Sequence, residues 1–242
     1  MAEPKILIWD IECTNLAADF GYMLCLGYKW KGRKKVYVPT IKQHPGKYVT
    51  DDHKLITHTR EVLASADMWV TYNGIRFDVP YMNTRILAAG LEPLPPIPHV
   101  DVYLSIVRPK LRLASKRLEK VQKFLKLDDE KTPLDAETWI RASAGDPQSL
   151  KYIVQHCKQD VLVLEQAYNK LGPLMLRHPR IAGYGPCTFC TSTRMQSRGY
   201  TPAIKGQKNW KRRFQCQDCG KWETRTMGRK EYIEFLATRL KK

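Results

Sequence analysis

Acidic side chains interrupt apolar or helical segments at three widely separated points of this chain, and they constrain its fold more than any other feature. They are Asp10 and Glu12 after the apolar run Ile6–Trp9, Asp78 at the end of Asn-Gly-Ile-Arg-Phe-Asp, and Asp160 in a long helical pattern. Carboxylates are costly to place among apolar residues unless a cation is bound near them. Converging oxygen ligands suit Mg²⁺ or Mn²⁺. Such a site indicates metal-assisted hydrolysis, with a phosphodiester as the expected substrate.

Local patterns place these acids on predicted strands and helices. Short apolar and β-branched runs predict strands over Lys5–Asp10, Tyr22–Trp30, Lys35–Val38 and Met68–Tyr72, with a short strand or turn over His99–Ser105. Helical spacing predicts helices over His53–Ser65, Val79–Ala89, Ser115–Leu125 with Ser115 as N-cap, and Pro147 to about Leu171. This order of elements predicts an α/β domain with a mixed sheet.

The predicted elements bring the acids into a meaningful arrangement. Asp10 and Glu12 lie two residues apart on a strand, so both side chains point to the same face. His156 precedes Asp160 by one turn on the same face of the last long helix. Asp78 opens a helix, where the helix N-terminus favours a carboxylate. Any one of these acids alone is an ordinary surface or capping residue, and only their combination predicts a metal site.

The same residues resemble the three motifs of the DEDD superfamily of ribonuclease-H-like 3′→5′ exonucleases, which includes proofreading domains and a YprB-like group. The matching motifs are Asp10-x-Glu12, Asn73-x-x-x-Phe77-Asp78 and Asp160. The segment from His99 to Val121 is similar to the corresponding segment of family-B polymerase exonuclease domains. The resemblance covers about residues 5–171, and within it Asp101 is expected to be structural. It implies a ribonuclease-H-like fold, a mixed central sheet flanked by helices, for a domain over residues 1–175.

The resemblance also implies a mechanism. Asp10 would bridge two divalent cations, Mg²⁺ or Mn²⁺, while Glu12 and Asp160 would complete the first site and Asp78 would hold the second. The metals would lower the pKa of the attacking water and stabilise the leaving oxygen. The expected activity is metal-dependent 3′→5′ exonucleolytic hydrolysis of single-stranded nucleic acid, with DNA favoured over RNA.

The roles of three residues in or near these motifs have more than one interpretation. Asn73 and Phe77 are expected to contact the nucleic acid, although Asn-Gly is also a turn signal in its own right. One branch of the superfamily has a Tyr four residues before the last Asp, and another has a His five residues before it. Here the residue four before Asp160 is His156. It is expected to serve as general base, because a His titrates near neutrality; the alternatives are that it orients the water or packs on the helix.

Four of the seven cysteines form two Cys-x-x-Cys pairs in the last quarter of the chain. They are Cys187, Cys190, Cys216 and Cys219. Two such pairs can supply four thiolates to one structural Zn²⁺; a redox dithiol pair or an iron–sulfur site is the rival interpretation. The expected organisation is a linker over residues 176–186 and a zinc ribbon with a terminal amphipathic helix over 187–242. Cys13, Cys25 and Cys157 are expected to be small buried hydrophobes.

The charge of the chain points to a polyanionic partner. The formal net charge is +17, and residues 176–242 carry 16 Lys and Arg against 4 Asp and Glu. Basic and aromatic residues alternate around the cysteines, which is typical of nucleic-acid contacts. The residues expected to make them are Arg198, Lys208, Trp210, Lys211, Arg212 and Arg213. The sequence around Cys216 resembles the zinc ribbons of insertion-sequence transposases and transcription factors. The alternatives are a solvated basic surface, or a ribbon that caps the nuclease domain without touching nucleic acid.

Two other functions fit the same residues. One is a structure-specific endonuclease, because ribonuclease-H-like folds host both cleavage modes. The other is a nucleic-acid-binding or scaffold protein with a silent nuclease fold, which the presence of all four acids disfavours. Neither a secretory signal nor a membrane-spanning run is expected, which predicts a cytoplasmic protein without a membrane partner. A nuclease fused to a transposase-like ribbon resembles phage or mobile-element proteins.

Overall fold

The structure is a computed structural model that describes residues 4–128, 135–175, 178–179, 186–201 and 211–226. The chain divides into two compact units, Met1–Leu171 and Gly172–Lys242. The predicted linker over 176–186 lies largely outside the described residues, and the predicted terminal helix lies wholly outside them. Within the described residues, no helix combines the length and the apolar character needed to cross a membrane.

The first unit is built on a five-stranded mixed sheet with the order β3-β2-β1-β4-β5. Its strands are β1 (Ile6–Cys13), β2 (Met23–Trp30), β3 (Val36–Tyr37), β4 (Met68–Thr71) and β5 (His99–Asp101). β1 pairs antiparallel with β2 and parallel with β4, and β4 pairs parallel with β5. The predicted mixed sheet is therefore confirmed, with β1, the strand that carries the acids, at its centre.

Helices flank this sheet. They are α1 (His53–Ala64), α2 (Asp78–Ala88), a π-helix (Tyr103–Val107) that continues into the short α3 (Arg108–Lys110), α4 (Leu118–Leu125), α5 (Ala136–Ser143) and α6 (Pro147–Leu171). The prediction of Ser115 as an N-cap was wrong, because the backbone is still extended at Arg117 and α4 begins at Leu118. Helix α5 was not among the predicted helices; it is capped by Asp135, whose carboxylate accepts the Thr138 N–H at 2.6 Å.

The alternation of β1 divides its side chains between the two faces of the sheet. Leu7, Trp9 and Ile11 belong to a buried apolar cluster that includes residues of α1 and α2. Asp10 and Glu12 alternate with them and lie beside Cys157 of α6. The long helix α6 therefore packs on the face of β1 that carries the acids, as the period of two predicts.

The second unit contains a three-stranded antiparallel sheet with the order β6-β7-β8. Its strands are β6 (Met195–Thr201), β7 (Lys211–Cys216) and β8 (Trp222–Thr226). The first Cys-x-x-Cys pair precedes β6, and the second begins at the last residue of β7. Gly220 has φ +73° in the turn between β7 and β8, a left-handed conformation that favours glycine.

Candidate functional site

The centre of the acidic site is Glu12, which belongs to two groups of potential metal ligands. A carboxylate oxygen of Asp10, one of Glu12 and the Sγ of Cys157 all lie within 4.8 Å of one another. A ligand atom of Glu12, one of His156 and one of Asp160 also lie within 4.8 Å of one another. Residues from opposite ends of the first unit therefore converge on one strand.

Helix α6 supplies the two residues that lie one turn apart. His156 Nε2 is 3.6 Å from Asp160 Oδ2, and both side chains are at least 85% buried. At this distance the carboxylate lies next to one nitrogen of the imidazole ring. The pairing shows that the helical spacing of four residues aims both side chains at Glu12, although residues 12 and 156 are far apart in sequence.

Asp78 contacts the same strand through the backbone of Ile11. It is the first residue of α2, and its Oδ1 accepts the N–H of Ile11 at 3.3 Å. Asp78 is only 3% exposed. Burial raises the pKa of its carboxyl group well above the usual value. Among the described residues, Asp78 belongs to neither of the two ligand groups, so its role as a ligand of a second metal stays a prediction.

The chemistry of this donor set fits a hard divalent cation. A carboxylate oxygen of Asp10 and one of Asp160 each lie within 4.8 Å of a carboxylate oxygen of Glu12, so the negative charge of Glu12 repels both. A cation bound beside Glu12 would offset that repulsion. Oxygen donors are those that Mg²⁺ and Mn²⁺ prefer.

A cavity of about 340 Å³ adjoins the acids. Phe77 and Glu12 both line it, together with Leu16, which is 83% exposed, and Trp139 of α5. Cavities of this size are at the lower end of those that take small ligands. Phe77 thus lies beside the acids, where the sequence analysis expected a residue that contacts nucleic acid.

Asn73 is placed differently from Phe77. Its backbone has φ +66°, and its N–H donates to Asp101 Oδ1 at 3.0 Å. Asp101 is wholly buried, and it also accepts the N–H groups of Ile75 and Leu104 at 3.0 and 2.9 Å. Asp101 therefore holds the turn after β4. Asn73 is a turn residue that lines a different cavity from Phe77.

Two residues of the site were missed by the sequence analysis as contributors to it. Cys157 is buried as expected, but its Sγ also lies among the ligand atoms of Asp10 and Glu12. Gly27 is the partner of Asp10 in the β1–β2 register, and a Cβ added to it would lie 2.6 Å from Cys157 Sγ. Gly27 therefore permits the close approach of α6 to the sheet. The role of Gly27 follows from the pairing register of β1 and β2, which cannot be read from the sequence alone.

The four cysteines of the second unit form the other candidate metal centre. Their sulfur atoms all lie within 4.8 Å of one another, and none is in a disulfide. Two of the separations are Cys187 Sγ to Cys219 Sγ, 3.7 Å, and Cys190 Sγ to Cys216 Sγ, 3.5 Å. Zinc–sulfur bonds of about 2.3 Å in tetrahedral geometry require sulfur atoms about 3.8 Å apart. The arrangement therefore fits one closed zinc site.

A buried lysine accompanies these thiols. Lys221 is 1% exposed, and its Nζ donates to the carbonyl oxygen of Met175. Burial lowers the pKa of Lys221, whereas Glu223, Cys187 and Cys219 raise it. A zinc ion with four thiolates carries a net charge of about −2. The ammonium group would offset part of that charge when the metal is bound.

The basic residues of the ribbon have different environments. Lys211 and Arg213 are exposed and alternate along β7, so they share one face. Arg212 Nε donates to Ser197 Oγ at 2.9 Å, and Arg198 Nε donates to Gln215 Oε1 at 3.0 Å. The predicted contacts Lys208 and Trp210 lie outside the described residues.

Comparison with known proteins places the first unit. The family model described as the RNase H superfamily matches residues 7–172. The structure of the family B DNA polymerase from the hyperthermophilic archaeon Pyrobaculum calidifontis is similar, with a TM-score of 0.59 and 20% sequence identity. That similarity covers 71% of this chain but only 25% of the polymerase, so it is a likeness of fold to a part of that protein. No curated protein matches the chain.

Proposed function

This chain belongs to the RNase H superfamily, and on that premise we propose that it is a metal-dependent 3′→5′ exonuclease acting on single-stranded nucleic acid, with DNA favoured over RNA. Membership of the superfamily supports nuclease activity and a nucleic-acid substrate in general. The observation that supports the finer proposal is the convergence of His156 and Asp160 on Glu12. Side chains so far apart in sequence meet at a cluster of hard oxygen donors, which is costly to assemble without a cation.

The acids have distinct tasks in this proposal. Asp10, Glu12 and Asp160 would hold one divalent cation, and Asp78 would hold a second together with Asp10. When bound, these cations supply charge stabilisation for the phosphate and lower the pKa of the attacking water. The N–H of Ile11 fixes Asp78 Oδ1, so this carboxylate keeps a constant orientation.

His156 supplies the proton transfer. In its neutral form the imidazole accepts a proton from the attacking water, and Asp160, 3.6 Å away, stabilises the imidazolium that forms. The largely buried position of His156 keeps it next to Glu12, where the reacting phosphate would bind. A residue that acts as general base must lie within hydrogen-bonding reach of that water, and the position of His156 favours this.

The cavity beside Glu12 supports attack at a strand end. Phe77 can stack on a base, and the volume of about 340 Å³ suits one terminal nucleotide better than a continuing duplex. The second unit would assist by binding the strand. Its closed Cys₄ site stabilises a small sheet on which Lys211 and Arg213 are exposed to phosphates.

A cleavage time course tests the proposal. Single-stranded DNA and RNA labelled at the 5′ end would be incubated with Mg²⁺, Mn²⁺ or excess EDTA, with wild-type protein and Asp10→Asn. The expected result is a ladder that shortens from the 3′ end, requires the metal, and is at least about 1,000-fold slower in the variant, because the metals contribute several kcal/mol. Internal cuts would indicate an endonuclease, and binding without cleavage would indicate a silent nuclease fold.

A further inference from the structure

The turn between β4 and α2 contributes to two cavities. Phe77 lines the cavity beside Glu12, and the preceding residue, Arg76, lines a second cavity of about 580 Å³. We call this second cavity the basic cleft. Its remaining lining residues are Tyr72, Asn73, Tyr103, Lys116, Arg117 and Leu118. None of the expected metal ligands lines it, so it is a separate feature of the nuclease unit.

The basic cleft is positively charged. Arg76, Lys116 and Arg117 line it, and none of its lining residues is an acid. The segment 108–117, which leads into it, holds five basic residues and no acidic one. The neighbouring acid Asp101 is wholly buried, and it accepts hydrogen bonds from three backbone N–H groups. A surface of this charge attracts a polyanion.

The cleft also contains aromatic and amide groups suited to bases. The rings of Tyr72 and Tyr103 lie 5.7 Å apart with an interplanar angle of 56°. Asn73 Oδ1 is buried and has no hydrogen-bond partner among the described residues. A buried amide oxygen without a partner is costly, and an amide can offer its oxygen or its nitrogen to a ligand. Aromatic rings next to cations are the combination that binds single strands.

The walls of the basic cleft are held together before any ligand arrives. The carboxylate of Asp101 accepts N–H groups from the turn at Asn73 and Ile75 and from Leu104 at the start of the π-helix. The hydroxyl of Tyr72 donates to the carbonyl oxygen of Lys116, which ties the 111–117 segment to the end of β4. The π-helix itself, Tyr103–Val107, is a rare conformation that often marks functional sites.

We propose that the basic cleft binds the part of a single-stranded nucleic acid that continues from the terminal nucleotide beside Phe77. Arg76 and Arg117 contact its phosphates, and Tyr103 stacks on a base. Because Arg76 and Phe77 are consecutive residues, a strand that ends beside Phe77 reaches Arg76 within a few nucleotides. This inference rests on the nuclease function proposed above, since that function brings a strand end to the acids.

Binding of a fluorescent 12-nucleotide single-stranded DNA over a range of salt concentrations tests the proposal. The full chain would carry Asp10→Asn, so that cleavage does not consume the DNA. Adding Arg76→Gln and Arg117→Gln is expected to weaken binding and to reduce the slope of log K against log [salt] by about 1.4, since each phosphate contact contributes about 0.7 on single strands. The matched control, Lys54→Gln with Lys151→Gln, removes two exposed charges from α1 and α6 and should leave the slope unchanged.

Conservative variants separate contact from structure. Arg76→Lys with Arg117→Lys keeps both charges and should keep the slope. Tyr103→Ala should weaken binding about fivefold or more, whereas Tyr103→Phe, which keeps the ring, should not. Thermal unfolding reports whether each variant folds. If the variant with Arg76→Gln and Arg117→Gln does not fold, the proposal is tested by the variant with Arg76→Lys and Arg117→Lys and by the two Tyr103 variants.

The outcomes also separate this inference from the proposed function. If the variant with Arg76→Gln and Arg117→Gln folds and binds DNA as well as the control with Lys54→Gln and Lys151→Gln, the proposed role of the basic cleft is wrong, even if the wild-type protein cleaves DNA normally. If Arg76→Lys with Arg117→Lys weakens binding as much as the two glutamine substitutions, or Tyr103→Phe as much as Tyr103→Ala, the assigned contacts are wrong. Cleft-dependent binding by a wild-type protein that cleaves nothing supports the cleft and contradicts the nuclease proposal.

Discussion

The two candidate metal centres of this chain are opposites in ligand type and in the way they are assembled. The acidic centre draws oxygen and imidazole ligands from β1 and α6, residues that are far apart in sequence. The Cys₄ centre takes soft thiolates from two local Cys-x-x-Cys pairs. Hard oxygen ligands suit exchangeable Mg²⁺ or Mn²⁺, whereas four thiolates suit a tightly held structural Zn²⁺.

This difference shows where each centre derives its geometry. The thiols lie close together because each Cys-x-x-Cys turn brings two of them together within a small sheet. The acids lie close together because α6 packs on β1, which depends on the absence of a side chain at Gly27. The acidic centre is therefore sensitive to core packing, and the Cys₄ centre is sensitive to loss of a ligand or of its metal.

The largest expected effect is the loss of the ribbon's fold on removal of one thiolate. Cys216→Ser should abolish stoichiometric zinc binding and unfold the three-stranded sheet, because about 10–16 kcal/mol of zinc binding is typically folding energy in small modules. Zinc content and limited proteolysis would measure it, with Cys13→Ser as the control. If the ribbon stays protease-resistant without zinc, its fold does not depend on the metal, and the prediction is wrong.

The second prediction concerns Asp78 and pH in the absence of divalent metal. Burial raises its folded-state pKa from 3.8 to about 7. Below pH about 4 both states are protonated. Between about 4 and about 7 the folded state binds more protons, so Asp78 destabilises the protein progressively as pH rises through this window.

Asp78→Asn removes that penalty and keeps an oxygen for the N–H of Ile11. In EDTA at pH 8 it should therefore raise the free energy of unfolding by at most about 4 kcal/mol, at about 1.4 kcal/mol per pKa unit, while impairing cleavage. Denaturant unfolding at pH 4 and pH 8 measures the effect, with the exposed Asp19→Asn as control. If Asp78→Asn is no more stable than the wild type at pH 8, the buried carboxylate of Asp78 does not destabilise the folded protein, and the prediction is wrong.

The smallest expected effect tests the packing of α6. In Gly27→Ala the added Cβ lies 2.6 Å from Cys157 Sγ and 3.0 Å from Val161 Cγ2. Overpacking of this kind costs about 1–3 kcal/mol. Displacement of α6 should slow cleavage about 10- to 100-fold, because misplacement by about 1 Å can cost 100-fold. Zinc content should not change.

A second substitution sharpens that test. Cys157→Ala removes the sulfur atom with which the new Cβ collides, so the double variant should recover part of the lost activity and stability. Cys157→Ala alone measures the contribution of the thiol. If Gly27→Ala cleaves like the wild type, the close approach at Gly27 does not position the acids.

Local patterns were sufficient for much of this structure. The period of two on β1 correctly assigned Asp10 and Glu12 to one face, and the predicted helix from Pro147 to about Leu171 matches the bounds of α6. These features depend on residues close in sequence. The mixed sheet followed from the order of the elements.

Features that depend on contacts distant in sequence were not predictable in the same way. Gly27 and Cys157 are 130 positions apart, and only the packed fold shows that one makes room for the other. Asn73 and Phe77 belong to one motif, yet the left-handed turn at Asn73 sends them to different cavities. Ser115 was a reasonable N-cap by residue type, but the chain stays extended to Arg117.

Metal content and cleavage activity, measured on the same EDTA-dialysed sample before and after addition of Mg²⁺, test most directly the claim that the two centres have separate roles. The account predicts one retained zinc per chain, no cleavage before addition, and cleavage restored by Mg²⁺ alone. Cleavage that follows the zinc content and does not respond to Mg²⁺ would contradict it.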